Sequence, residues 1–130
     1  MQPLIKPLAL SLLAAFAFAV GAAPAALAQG KDFKVALIAG KTGLMEAYAR
    51  ETETGFMLGL EYLTGGTMAI NGRKIQVIVK DDQSKPDLGR TLLAEAYGDD
   101  RVDIAVGTTS SGSALAMLPV ANEYKKVLIV

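Results

Sequence analysis

The chain has 130 residues, 52% of them apolar, and its 13 basic residues balance its 13 acidic ones. It holds no cysteine and no histidine, which excludes disulfides, zinc sites built on those residues, and any histidine-based catalytic triad. No excess of positive charge marks a nucleic-acid partner, and none is expected.

Met1 to Pro7 carries a single charge, Lys6. Leu8 to Val20 is an apolar run, shorter than the roughly 20 residues a membrane span requires. Ala26-Leu27-Ala28 follows with a small-x-small pattern. These are the three parts of a secretory signal, so residues 1–28 are expected to be a signal peptide, cleaved after Ala28. Removing Lys6 from 13 basic and 13 acidic residues leaves a net charge of about −1 on residues 29–130. No cysteine stands at the cleavage site to carry a lipid, and the expected compartment is a periplasm.

Phe33 to Ala39 is β-branched and apolar without alternation, the pattern of a strand buried on both faces of a parallel sheet. Gly40-Lys41-Thr42-Gly43 turns the chain into a helix expected from about Glu46 to Leu63. Tyr48, Thr52, Phe56, Gly59, Leu60 and Leu63 fall on one side of it, and Gly65-Gly66 ends it. Met68 to Arg73 predicts a hairpin about Asn71-Gly72. Lys74 to Lys80 is the next main strand, closed by Asp81-Asp82. Ser84-Lys85-Pro86-Asp87 predicts a helix start, with Ser84 as cap. That helix runs to Tyr97-Gly98.

Asp103 to Val106 is a short strand that passes straight into Gly107-Thr108-Thr109-Ser110-Ser111-Gly112-Ser113. A third helix starts at about Gly112 and reaches Tyr124, and Val127 to Val130 is a fourth apolar strand. Ser110 or Ser111 suffices to cap the helix, so the run of hydroxyls exceeds what capping requires. A helix N-terminus carries unpaired N–H groups and a partial positive charge. The excess hydroxyls there point to a small polar ligand with a carboxylate.

Alternation of strands and helices argues for an α/β fold, a parallel sheet flanked by helices with right-handed crossovers. Ligands bind such sheets beyond the carboxyl ends of the strands, where strand order reverses. The Gly40 loop and the Thr108–Ser113 turn are expected to meet there. The chain stops within an apolar strand, and an uncovered apolar edge invites aggregation. The expectation is the first part of a longer protein, the alternative a complete small flavodoxin-like domain.

Other chemistry finds little support. Gly40-Lys41-Thr42 lacks the upstream glycine of a P-loop, since Val35 stands there. Gly107 to Gly112 is one residue too long for a nucleophile elbow. Asp81 and Asp82 are read as solvated carboxylates pointing to different sides, and no metal or cofactor is expected. No general base accompanies the serines, so the chain is expected not to be an enzyme. An exported enzyme using Ser110 or Ser111 would need a base from elsewhere.

FKVALIAGKTG, GFMLGLEYLTGG, INGRKIQVIVKDDQSKPDLG and DIAVGTTSSGSALAMLPVANEYKKVLIV, in this order behind an export signal, carry a likeness. The chain resembles the start of a periplasmic substrate-binding protein of ABC transporters, of the leucine/isoleucine/valine-binding type. The resemblance implies a type I periplasmic-binding-protein lobe, here an incomplete first lobe over residues 29–130, in a protein whose two lobes close on a ligand. It implies a partner permease in the inner membrane and a small carboxylate ligand: a branched-chain or hydrophobic amino acid, an amide or an aromatic acid. It places Ser111 at the serine that faces the ligand carboxylate, flanked by Ser110 and Gly112. It places Tyr48 at an aromatic position beside the ligand. Thr109, from the same hydroxyl run, and Thr42, from the first loop, complete the ligand-binding candidates. Relatives often carry proline where Leu44 stands and glycine where Ala49 stands, so the side-chain pocket departs from the family's pattern. A sensing domain of the same fold is the alternative function. A lone first lobe is expected to bind weakly or not at all, because one side of the ligand stays wet.

Overall fold

The computed structural model describes residues 30–130; the expected signal peptide lies outside the described residues. In chain order the elements are β1 (Phe33–Ala39), α1 (Glu46–Thr64), β2 (Ala69–Ile70), β3 (Arg73–Asp81), α2 (Pro86–Gly98), β4 (Ile104–Val106), α3 (Ser111–Tyr124) and β5 (Val127–Ile129). The sheet order is β2-β3-β1-β4-β5. The pairs β1–β3, β1–β4 and β4–β5 are parallel. Only β2 runs antiparallel, in a hairpin whose Asn71 and Gly72 both have positive φ, 49° and 76°.

β1 is the centre of the sheet and is buried on both sides, which is why its sequence does not alternate. Ala36 and Ile38 face a core that contains Leu93, Ala96 and Tyr97 of α2, and Met117, Val120 and Ala121 of α3. Val35, Leu37 and Ala39 point the other way and are buried as well. The chain moves from β1 to β3 in one direction, then to β4 and β5 in the other. Right-handed crossovers therefore put α1 on one face and α2 with α3 on the opposite one.

Two expectations about helices are corrected. The inner line of α1 begins at fully buried Ala49 and continues through half-buried Phe56 and Leu60, whereas Tyr48 and Leu63 are both 65% exposed. From Phe56 to Leu63 apolar residues lie on all sides of α1, so spacing there does not select a face, and the small Ala49 marks the close approach instead. Ser84 is not the cap of α2: Lys85 holds that position and no side chain caps the helix. The Ser84 N–H instead donates to Asp82 Oδ1 at 2.9 Å. Pro86 and Asp87 do open α2, and Gly65 closes α1 in the left-handed conformation.

Candidate functional site

Strand order reverses between β1 and β4, which are parallel neighbours in the sheet. Their carboxyl ends release the 40–45 loop and the 107–110 turn side by side, the place where open α/β sheets hold ligands. A hydrogen bond joins the two segments: the Gly40 N–H donates to Thr109 Oγ1 at 3.3 Å. The β3–α2 loop meets them too, because a Cβ on Gly40 would strike Ser84 Oγ.

Gly107 opens the turn at φ 121°, and a Cβ there would run into the Ile38 carbonyl of β1. Only glycine allows this approach. Its N–H donates to Ile129 O at 2.9 Å, so the turn is pinned to β5 as well.

Ser110 then caps α3. Its Oγ accepts from the Ser113 N–H at 3.5 Å, and its carbonyl accepts from the Ala114 N–H at 2.9 Å. Ser111 and Gly112 are the first two residues of the helix, and their N–H groups have no intrahelical acceptor. Both residues are exposed. Two free donors, the Ser111 hydroxyl and the positive end of the α3 dipole thus share one patch of surface, which suits an anion. Thr109 Oγ1 accepts from Gly40 and keeps its own proton to donate.

The other candidates stand further back. Thr42 is exposed, and its hydroxyl donates to Asp81 Oδ2 at 2.7 Å while its N–H donates to Asp81 Oδ1 at 3.3 Å. Desolvation pushes the Asp81 carboxyl up, but the Thr42 hydroxyl and the N–H groups of Gln83, Thr42 and Lys41 together hold it below its ordinary value. Tyr48 shows its ring to solvent from the first turn of α1. The structure thus brings Thr109, Ser110, Ser111 and Gly112 onto one turn and ties the loop bearing Thr42 to it. Tyr48 borders that loop without a hydrogen bond to the turn among the described residues. An open depression of about 530 Å³ also borders it, lined by Gly43, Leu44, Glu46, Ala47, Arg50 and Glu51.

Asp82 corrects the reading of a solvated pair: it is fully buried. Its Oδ2 accepts from Thr108 Oγ1 at 2.7 Å, directly behind the serine turn. Burial follows from α2, whose Gly89 passes so near that an added Cβ would sit 3.4 Å from Asp82 Oδ2. Among the described residues no group of three or more acidic, cysteine or histidine side chains is placed to hold a metal ion. Among them, too, no helix is long and apolar enough to cross a membrane.

The profile of the family described as periplasmic binding protein matches residues 32–130. The chain belongs to this family. No curated protein matches this periplasmic binding protein by sequence. Solved structures do. An ABC-type branched-chain amino acid transporter protein of Rhodopseudomonas palustris CGA009 is 68% identical, with a TM-score of 0.74, over 75% of this chain and 26% of its own. A solute-binding protein of an ABC transporter from Rhodopseudomonas palustris BisB5, in complex with 3,4-dihydroxybenzoic acid, is 31% identical, with a TM-score of 0.69, over 75% and 26%. An R. palustris solute-binding protein in complex with benzoate is 25% identical, with a TM-score of 0.65, over 75% and 27%. The chain therefore spans about a quarter of the length of these relatives. They are binding proteins of transporters rather than enzymes, and the family is the one the sequence resembles.

Proposed function

We propose that this chain belongs to the solute-binding component of an ABC importer, working in the periplasm with an inner-membrane permease. In this reading the start of α3 grips the carboxylate of a small acid. One observation carries it: the N–H groups of Ser111 and Gly112 lack helical acceptors and lie beside an exposed hydroxyl at the reversal of strand order. The relatives support it through what their ligands share. Branched-chain amino acids carry aliphatic side chains and benzoate and 3,4-dihydroxybenzoic acid an aromatic ring, and the group common to all of them is the carboxylate.

The magnitudes are adequate for a head-group clamp. A hydrogen bond to a charged group contributes roughly 1.5–3 kcal/mol. A partly buried helix terminus adds up to ~2 kcal/mol. These terms act on any such acid, so discrimination among acids rests on the apolar part of the ligand and on surfaces facing it. Ser111, Gly112, Thr42 and Tyr48 are all exposed, which leaves one side of the ligand to be covered by something else.

The test is calorimetric titration of the full-length gene product with L-leucine, L-isoleucine, benzoate and 3,4-dihydroxybenzoate. At least one binds, and its carboxamide counterpart does not. Ser111→Ala weakens the best binder about tenfold or more, the equivalent of losing one hydrogen bond to a charge. An affinity unaltered by Ser111→Ala contradicts the assignment.

A further inference from the structure

We infer that Asp82 is a positioning residue for ligand binding: its buried carboxylate, acting through the Thr108 hydroxyl, sets the shape of the turn that opens α3. This rests on the assignment of that turn to the ligand carboxylate. Asp82 is fully buried at the end of β3 and touches no exposed surface. Its two oxygens serve two loops. Oδ1 accepts from the Ser84 N–H at 2.9 Å and folds the β3–α2 connection around itself. Oδ2 accepts from Thr108 Oγ1 at 2.7 Å and holds the β4–α3 turn.

From Thr108 the connection continues toward the candidate site. Thr108 Oγ1 accepts from the Ser110 N–H at 3.5 Å, and Ser110 Oγ caps α3 through the Ser113 N–H at 3.5 Å. Those two contacts are long, so the short Asp82–Thr108 bond is the firm link of the series. Ser110 is the residue immediately before the two free N–H groups. The direction in which those donors point thus depends on a carboxylate that never meets the ligand. The surroundings keep that carboxylate in place. Gly89 of α2 roofs it, and a Cβ at that position would press on Asp82 Oδ2, Ser113 Cβ and Met117 Sδ at 3.3–3.4 Å. A carboxylate serves better here than an apolar side chain, because it accepts from both loops at once and so fixes their separation.

The experiment compares Thr108→Val, Thr108→Ser and Asp82→Asn in the full-length gene product. Thr108→Val keeps the shape of the side chain and removes its proton. The first readout needs no ligand: hydrogen exchange of the peptide spanning residues 107–114. Thr108→Val is expected to speed exchange there at least tenfold while the melting temperature stays within a few degrees of wild type, and Thr108→Ser is expected to restore the slow rate. The second readout is titration with L-leucine and benzoate. Thr108→Val weakens the compound that binds by about tenfold, Thr108→Ser does not, and Asp82→Asn combined with Thr108→Val is no worse than the weaker single variant. Wild-type exchange in Thr108→Val overturns the inference whether or not either compound binds. Faster exchange with unchanged affinity also overturns it, since the turn would then move without consequence. Ser111→Ala separates this from the parent assignment. If Ser111→Ala weakens binding and Thr108→Val does not, only the role of Asp82 falls. If neither weakens it, the site itself is misplaced.

Discussion

At the scale of single residues, Gly107 carries the firmest expectation. Its φ of 121° and its approach to the Ile38 carbonyl are both forbidden to a side chain. Gly107→Ala must therefore strain the backbone and push the turn off β1. The expected cost is about 3 kcal/mol or more, measured by urea unfolding of the full-length gene product. A loss below about 1 kcal/mol would show that the turn relaxes freely. The hydroxyl run from Thr108 to Ser113 was legible in the sequence because capping is local: Ser110 acts on Ser113, three residues away. Asp82 was not legible. Its neighbour Asp81 does meet water and binds Thr42, as an acidic pair at a strand end suggests. Only the passage of α2 over Asp82, at Gly89, distinguishes the second carboxylate from the first, and nothing nearby in sequence records that passage.

Among the elements, β3 and α2 are held together by an ion pair that sequence spacing did not reveal. Lys80 Nζ lies 2.9 Å from Glu95 Oε1 on α2 and 2.8 Å from Asp100 Oδ2 just after it. The Lys80 side chain is only 10% exposed. Burial alone lowers its pKa, but hydrogen bonds and attraction from Asp100 and Glu95 outweigh that, and the ammonium stands above its ordinary value. The sign of the pH effect follows. A raised lysine contributes its full stabilisation below the unfolded value of about 10.4 and loses it as pH rises through the folded value. Lys80→Met is expected to cost about 1–2 kcal/mol at neutral pH, since the partners are partly solvated. The gap in melting temperature between wild type and variant stays constant from about pH 7 to 9 and narrows above about pH 10.5. A gap that closes between pH 7 and 9 contradicts this. Elements with local signatures were readable in advance: β1 by its unbroken apolar run, the hairpin by Asn71-Gly72, the end of α1 by Gly65. The inner face of α1 was not, because Met57, Leu58, Tyr62 and Leu63 remain exposed beside the buried Ala49. The second half of α1, from Phe56 to Leu63, is apolar nearly all round and offers little periodic contrast.

Over the whole molecule, the order β2-β3-β1-β4-β5 does the work of assembling the site. That the Gly40 loop meets the serine turn where strand order reverses, between β1 and β4, was implied by the alternation of strands and helices. What the alternation left open is the pocket for the rest of the ligand, since the candidate residues line one side only. The chain covers 26% and 29% of two relatives that are 68% identical to it over 75% of its length. The account stands on a carboxylate bound at the first turn of α3. The most direct measurement is a crystal structure of the full-length gene product grown with the acid that binds it best in titration. The account predicts a carboxylate oxygen about 2.7–3.2 Å from the Ser111 N–H or hydroxyl. A carboxylate ordered elsewhere in the protein, with the N–H groups of Ser111 and Gly112 facing only solvent, would contradict it.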